Sequence, residues 1–418
     1  MNTCNKTGNP VGNLSYRSRP WSRRRVLGRI RSTGKGSDDK FSDMDGTNLQ
    51  RAPREIVQTL EDKVFSLDTF FVQRTESYGD DGIVFKGNIR QNPSRVQNIL
   101  QQRIQENVPG YKIFILPDRE DKPTAVVIPE SSLNQNSFNE EILCLFLSLA
   151  TFVTTLNVYD AEIFNAALLT FNLDPDKIGT ALPATLASLS ILGAHELGHF
   201  IASKQLEVDL GPPLPLPAGL GLLGSFGSIT NIKSDIQNRD VLGSIIVPGP
   251  ILGLVASFTT FFIGLVLTMQ QQGGVELDSA SFRESFLVGN LASTFLGKEV
   301  FDADSINCNP LFVVGWGGLI VNAINLIPVG ELDGGKISLA VFGRQWSQVL
   351  SLLSFVALGV GSFVNGLALF WLLFVISVQR GPGTPCLEEI SRPSEKICAY
   401  AIPLLFVPLL ILLPSQIN

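Results

Sequence analysis

His195-Glu196-Leu197-Gly198-His199 lies inside Ala181–Ser203 (ALPATLASLSILGAHELGHFIAS), an apolar run in which Glu196 is the only carboxylate and no Lys or Arg occurs. These two histidines are the only ones in the 418-residue chain. A spacing of four puts both imidazoles on one face of a helix. Two imidazoles so placed can hold a Zn²⁺, and a glutamate beside the first can act as general base toward a metal-activated water. The run is also long and apolar enough to read as a membrane span. A charged group at bilayer depth costs roughly 2.5–3.5 kcal/mol on insertion scales, so Glu196 needs a partner or a task. A helix pair that merely packs would leave that charge unexplained.

The rest of the chain divides around this run. Charged residues make up only 17% of it, and its apolar residues bunch in the second two-thirds. The expected fold is a polytopic α-helical membrane protein of about six to seven spans, with a small N-terminal soluble α/β domain. The expected boundaries are 1–50 for a basic leader and disordered linker, 51–135 for the soluble domain, and 140–415 for the membrane domain that carries the pentad.

Residues 1–37 carry nine Lys/Arg and no Asp or Glu, and the stretch WSRRRVLGRIRSTGKG adds Ser and Thr without a long apolar core. That composition reads as an organelle transit peptide rather than a secretory signal. The alternative is a basic tail for nucleic acid or acidic lipid. Composition does not separate plastid from mitochondrion. The net charge of −6 hides a basic leader followed by an acidic remainder, which argues against nucleic acid as a partner of the mature chain. The five cysteines form no CxxC pair, so they indicate neither a disulfide framework nor a cysteine zinc site.

Within 51–135 the pattern suggests a helix at Ile56–Phe65, strands at Thr69–Gln73 and Gly82–Gly87, a capped helix at Asn92–Glu106, and strands at Tyr111–Leu116 and Thr124–Pro129. No catalytic constellation is evident there. Ser132–Asn139 reads as a polar linker. The candidate spans are Ile142–Val158, Ala181–Ser203, Val241–Met269 (broken near Pro248-Gly249-Pro250), Pro310–Pro328, Ser347–Phe363, Val364–Val378 and Ala399–Pro414. Asp160–Thr180 reads as a loop with a short interfacial helix, and Gln270–Asn307 as a polar, acidic loop. Gly211–Thr230 (GPPLPLPAGLGLLGSFGSIT) is apolar but too rich in Gly and Pro for a regular helix. An extended hairpin or a re-entrant segment at the membrane surface fits it better.

A catalytic zinc takes three protein ligands and leaves one position for water. With no third histidine, the remaining ligand must be Asp, Glu or Cys. Asp333 is the best candidate, in NLIPVGELDGG (Asn325–Gly335), where an apolar span ends, Pro328 and Gly330 break the chain, and a carboxylate is followed by two glycines. Glu331 competes for the role; Glu207 and Asp209 are lesser candidates. Water must reach such a metal, which predicts a polar route from one membrane face.

HELGH in one span followed by NLIPVGELDGG at the end of another resembles the site-2-protease family of intramembrane zinc metalloproteases. GSFGSITNIKS and VPGPILG between them are similar too. With the basic leader and the stretch TFFVQRTESYGDDGIVFKGNIR, the chain most resembles the plastid and cyanobacterial branch, the ethylene-dependent gravitropism-deficient and yellow-green-like proteases. The resemblance covers about Leu60 to Pro414, and no PDZ domain is evident. It implies that His195, His199 and Asp333 hold one zinc and that Glu196 moves a proton from the metal's water to the leaving amine. It also implies that Asn325 hydrogen-bonds substrate backbone and that the hairpin around Gly219–Thr230 clamps an unwound substrate as an added strand. The implied partners are membrane protein substrates and the lipid bilayer, with no nucleic acid, in a multi-pass chloroplast membrane protein. A proteolytically silent scaffold or chaperone and a metal-ion transporter are the competing readings. The transporter would usually show repeated halves, and no second copy of the pentad exists.

Overall fold

Asn92 starts the first long helix. Its side chain accepts from the Ser94 and Arg95 amides, and Pro93 occupies the first helical position, where its missing N–H costs nothing. The computed structural model describes residues 54–78, 82–118, 120–133, 139–160, 175–363, 366–378 and 385–415. The basic leader and linker expected at 1–50 lie outside those residues, as do 161–174 of the expected interfacial segment, 134–138 of the expected linker, and 364–365 at the start of one candidate span.

The helix Pro93–Asn107 lays Val96, Leu100 and Ile104 on a four-stranded antiparallel sheet. Its strands are β1 (Phe70–Tyr78), β2 (Gly82–Ile89), β3 (Tyr111–Pro117) and β4 (Pro123–Pro129), in the order β1-β2-β4-β3. Phe70, Phe85, Ile113, Ile115 and Val127 face that helix and the short helical turns at Arg54–Val64. Burying each such side chain fully contributes about 1.5–3 kcal/mol, which is what holds so small a layer together.

Among the described residues four helices are long and apolar enough to cross a membrane: Glu140–Tyr159, Pro175–Gln205, Arg239–Met269 and Glu395–Leu412. Phe286–Phe295, Pro310–Asn325 and Gly366–Ile376 are apolar but shorter. Within the third long helix, Arg239–Ile246 and Pro248–Met269 meet at Val247, where the sequence Pro248-Gly249-Pro250 interrupts the hydrogen-bond ladder. The helix Asp333–Gly361 breaks at Gly343, whose φ is +81°. Beyond the break Trp346, Val349, Leu353, Val356 and Val360 are exposed at helical spacing, an apolar stripe suited to lipid.

The Gly/Pro-rich segment forms the antiparallel hairpin β5 (Leu214–Leu220) and β6 (Leu223–Ile229). Gln270–Asn307 departs from the expected loop. It holds a two-stranded antiparallel sheet, Val275–Asp278 with Ser305–Cys308, and between those strands the apolar helix Phe286–Phe295. That helix is too short to stand out among flanking acids in the sequence. Val288 and Ala292 are buried in the main core with Phe282, Phe312 and Trp316, and the Phe282 ring lies 5.4 Å from Trp316.

The segment 386–391 joins the sheet to the bundle. Ile115 at the edge of β3 donates to the Leu387 carbonyl, and Glu389 donates back to Ile115. On the other side Leu387 and Glu388 donate to Ile236 and Gln237. Arg344 grips the fully buried Glu389 side chain with two nitrogens, Nε at 2.9 Å and Nη2 at 2.5 Å. Removing one member of a buried pair strands the other charge and costs about 3–5 kcal/mol. Arg344→Met is therefore expected to lower the thermal unfolding midpoint sharply, and Arg344→Met with Glu389→Leu to recover most of the loss. Burial also raises the Cys308 thiol to about 11 and pushes Cys386 up further. Because the thiolate is the nucleophile, both cysteines are expected to resist iodoacetamide at pH 8 until the chain is unfolded, as mass spectrometry of labelled peptides would read.

Candidate metal centre

The pentad falls near the end of the helix Pro175–Gln205, with His195 and His199 both buried. Their Nε2 atoms lie 3.1 Å apart. Asp333, the first residue of its helix, brings Oδ2 to 2.9 Å from His195 Nε2 and Oδ1 to 3.6 Å from His199 Nε2. Ligands of a tetrahedral zinc, each about 2.05 Å from the ion, lie about 3.3 Å from one another. The three observed separations bracket that value. Lone pairs aimed at one point repel unless a cation or a proton stands between them, so the donor set fits a bound metal. Among the described residues this trio is the group of His, Cys, Asp and Glu side chains close enough to share an ion. Glu331, Glu207 and Asp209, the competitors for the third position, fall outside it.

Each imidazole is oriented from behind. Ile245 O can only accept, so His199 Nδ1–H donates to it at 3.0 Å and Nε2 is left with its lone pair toward Asp333. His195 Nδ1 lies 2.9 Å from Asn322 Oδ1. The Asn322 amide nitrogen is turned the other way, donating to Gly318 O at 2.9 Å and Ser257 Oγ at 3.3 Å, so His195 also presents Nε2. Glycines make these approaches possible. A Cβ on Gly249 would strike the His199 ring, and one on Gly253 would strike Asn322 and His195 Nδ1.

Glu196, one residue on from the first ligand, accepts from Ser228 Oγ and from Thr230 Oγ1, the latter at 2.6 Å. Asn325 is buried, and its amide nitrogen donates to Phe226 O at 2.8 Å and Val321 O at 2.9 Å. It ties the hairpin to the end of its own helix. A cleft of about 50 Å³ runs between β6 and the pentad helix, beside His195. Its polar lining includes Thr155, Tyr159, Ser188, Ser225, Ser228 and Asn325. That is room for several waters with partners to hold them.

Peptidase family M50 matches residues 183–364, which contain both histidines, Glu196, Asn325 and Asp333. A protein of Arabidopsis thaliana named probable zinc metalloprotease EGY2, chloroplastic, is 36% identical over 372 residues, 87% of this chain and 66% of that one. The rice protein of the same name (Oryza sativa subsp. japonica) is 36% identical over 369 residues, 87% of this chain and 67% of its own. The chain belongs to peptidase family M50. It falls in the chloroplast branch of site-2-protease type, where a probable zinc metalloprotease EGY1, chloroplastic, of Arabidopsis thaliana is 30% identical over 386 residues, 85% of this chain and 70% of that protein. The EGY3 middle domain matches residues 58–136, the sheet layer. This M50 chain spans about two-thirds of the length of the EGY2 relatives it matches. No solved structure matches it.

Two features of this M50 site escape the sequence reading. Asn322 lies in no motif that marks it, and Ser228 and Thr230, although inside the stretch GSFGSITNIKS, carry nothing there that assigns them to Glu196. Asn322 could have been noticed as one of only two polar side chains in Pro310–Asn325, since a buried amide on an apolar helix needs partners. Groups that orient metal-binding histidines are typically worth about 10–100-fold in metal affinity. Asn322→Leu is expected to weaken zinc binding by about that factor, measured by competition with a chromogenic chelator.

Proposed function

We propose that this chain is an intramembrane zinc endopeptidase that hydrolyses peptide bonds in or near the transmembrane helices of membrane protein substrates. The observation that carries this reading is the convergence of His195, His199 and Asp333 on one point, with Glu196 beside the first ligand. Family membership and the zinc metalloprotease names of its relatives support it.

In this reading His195, His199 and Asp333 hold one zinc per chain. Zinc supplies Lewis acidity there, bringing the pKa of water toward about 7 and polarising the scissile carbonyl. Glu196 takes the proton from the attacking water and delivers it to the leaving amine nitrogen as the C–N bond breaks. Asn322 and the Ile245 carbonyl keep both imidazoles in the Nδ1–H form throughout. A peptide bond inside a helix is hydrogen-bonded and covered, so the substrate must unwind before it is cut. The cleft between β6 and the pentad helix suits an extended backbone, which would add to the hairpin as a strand. Asn325 contributes by fixing the Phe226 carbonyl, and with it the strand that receives the substrate.

The chain acts from a chloroplast membrane, which it crosses several times. Four long apolar helices and the chloroplastic names of its relatives support that placement. In the proposed division, 1–50 directs import, 51–135 is the soluble unit and 140–415 is the membrane peptidase.

The test uses the detergent-solubilised full chain, its zinc content, and cleavage of a single-span model substrate. Wild type is expected to hold one zinc and to cleave. Glu196→Gln should keep zinc and lose about 10²–10⁴ in rate, the usual contribution of a general base. Asp333→Ala should lose the metal. A wild-type chain without zinc would end the assignment.

A further inference from the structure

We propose that Ser228 and Thr230, braced by Lys336, are positioning residues that hold the Glu196 carboxylate in register with the metal ligands. The inference rests on the peptidase reading above and deepens it at the base.

Ser228 lies near the end of β6 and Thr230 just beyond it. Residues two apart along an extended chain point to one side, and here both hydroxyls reach Glu196. They divide the carboxylate between them: Ser228 Oγ donates to Oε1, and Thr230 Oγ1 to Oε2 at 2.6 Å. Two donors on two oxygens fix both the position of the carboxylate and the rotation of its plane. A single donor would leave that rotation free.

The strand end is itself anchored. Lys336 Nζ donates to the Thr230 carbonyl at 3.1 Å. Lys336 stands one turn after Asp333 on the same helix. A closed chain of contacts therefore runs from the third ligand through its helix to Lys336, through Thr230 to Glu196, and along one peptide bond to His195. Through it, the helix that brings Asp333 also sets where Glu196 sits. A base must come within about 2.6–3.2 Å of the atom that carries the proton it abstracts. A long glutamate side chain has three rotatable bonds and does not hold that position unaided.

Simple satisfaction of a charge within an apolar bundle would call for the same hydroxyls. That explanation predicts an effect on stability and none on turnover per folded, zinc-loaded molecule. The two accounts therefore part in kinetics.

Two measurements on the detergent-solubilised full chain test the proposal: the first asks whether the contacts couple to Glu196 at all, and the second decides between the two accounts. The first is a double-mutant cycle on the thermal unfolding midpoint, combining Ser228→Ala and Thr230→Val with Glu196→Ala. Coupled groups give a combined shift that differs from the sum of the separate ones, and that is the expected result. The second is cleavage of a single-span model substrate by zinc-loaded protein. Ser228→Ala with Thr230→Val is expected to lower kcat about a hundredfold, as for a reacting group displaced by about an ångström, with KM and zinc content unchanged. Exchanging the two residues (Ser228→Thr with Thr230→Ser) keeps both hydroxyls and should restore most of kcat. Lys336→Met should lower kcat less, and Lys336→Arg should rescue it. Additive shifts in the cycle, or a wild-type kcat in the hydroxyl-free variant, would overturn the proposal while the peptidase reading stands. Coupled shifts in a wild-type chain that binds zinc but cleaves nothing would instead bring down the peptidase reading, and the catalytic purpose of the contacts with it.

Discussion

Three lone-pair groups pressed together inside a bundle of apolar helices set the terms for the rest of this structure. His195 Nε2, His199 Nε2 and the Asp333 carboxylate converge within a few ångströms. Such a cluster is tolerable when each group is aimed and a cation or a proton can sit between them. Aiming requires partners on the far side of each ring, which draws in Asn322 and the Ile245 carbonyl. Those partners lie on two further helices, so four helices must approach closely around one point. The glycines at 249 and 253 leave room for that approach.

The carboxylate makes a second demand. Asp333 reaches the histidines because the chain turns sharply after Asn325 and begins a new helix at Asp333 itself. The same helix carries Lys336 toward the hairpin and, past the break at Gly343, Arg344 toward the buried Glu389. One element thus touches the metal ligands, the strand beside the cleft, and the clasp that holds the N-terminal sheet. Arg239 donates to Ser391 O in that clasp and begins the helix whose Ile245 carbonyl orients His199. The sheet layer is therefore mechanically continuous with two of the elements that place the metal ligands, although it contributes none itself.

The hairpin serves the site from both of its ends. Near its turn, Thr154 donates to Gly224 O at 2.6 Å, which pins β6 to the helix Glu140–Tyr159. At its other end Ser228 and Thr230 reach the glutamate. Between them the Phe226 carbonyl is taken by Asn325. A strand held at three points beside a water-sized cleft offers a fixed edge for extended peptide, which a mobile loop would not.

By itself the sequence pointed to the chemistry of the site. Two histidines four apart with a glutamate after the first can share a metal on one helix face, and NLIPVGELDGG offers a carboxylate where a helix must end. Local pattern also fixed the β1–β4 layer, because alternating burial and an Asn-Pro cap are properties of a few adjacent residues. It fixed the β5–β6 hairpin for the same reason, since Gly and Pro exclude the helix locally. Gln270–Asn307 was misread as a loop because its helix is short and its acids dominate any average over the segment. Only the tertiary structure decided that Asp333 rather than Glu331 completes the trio, that Asn322 orients His195, and that Ser228 and Thr230 hold Glu196. Those are relations between side chains more than thirty and up to 138 positions apart along the chain. No local propensity encodes them, because the angle at which separate helices and a strand meet is set by how their faces pack.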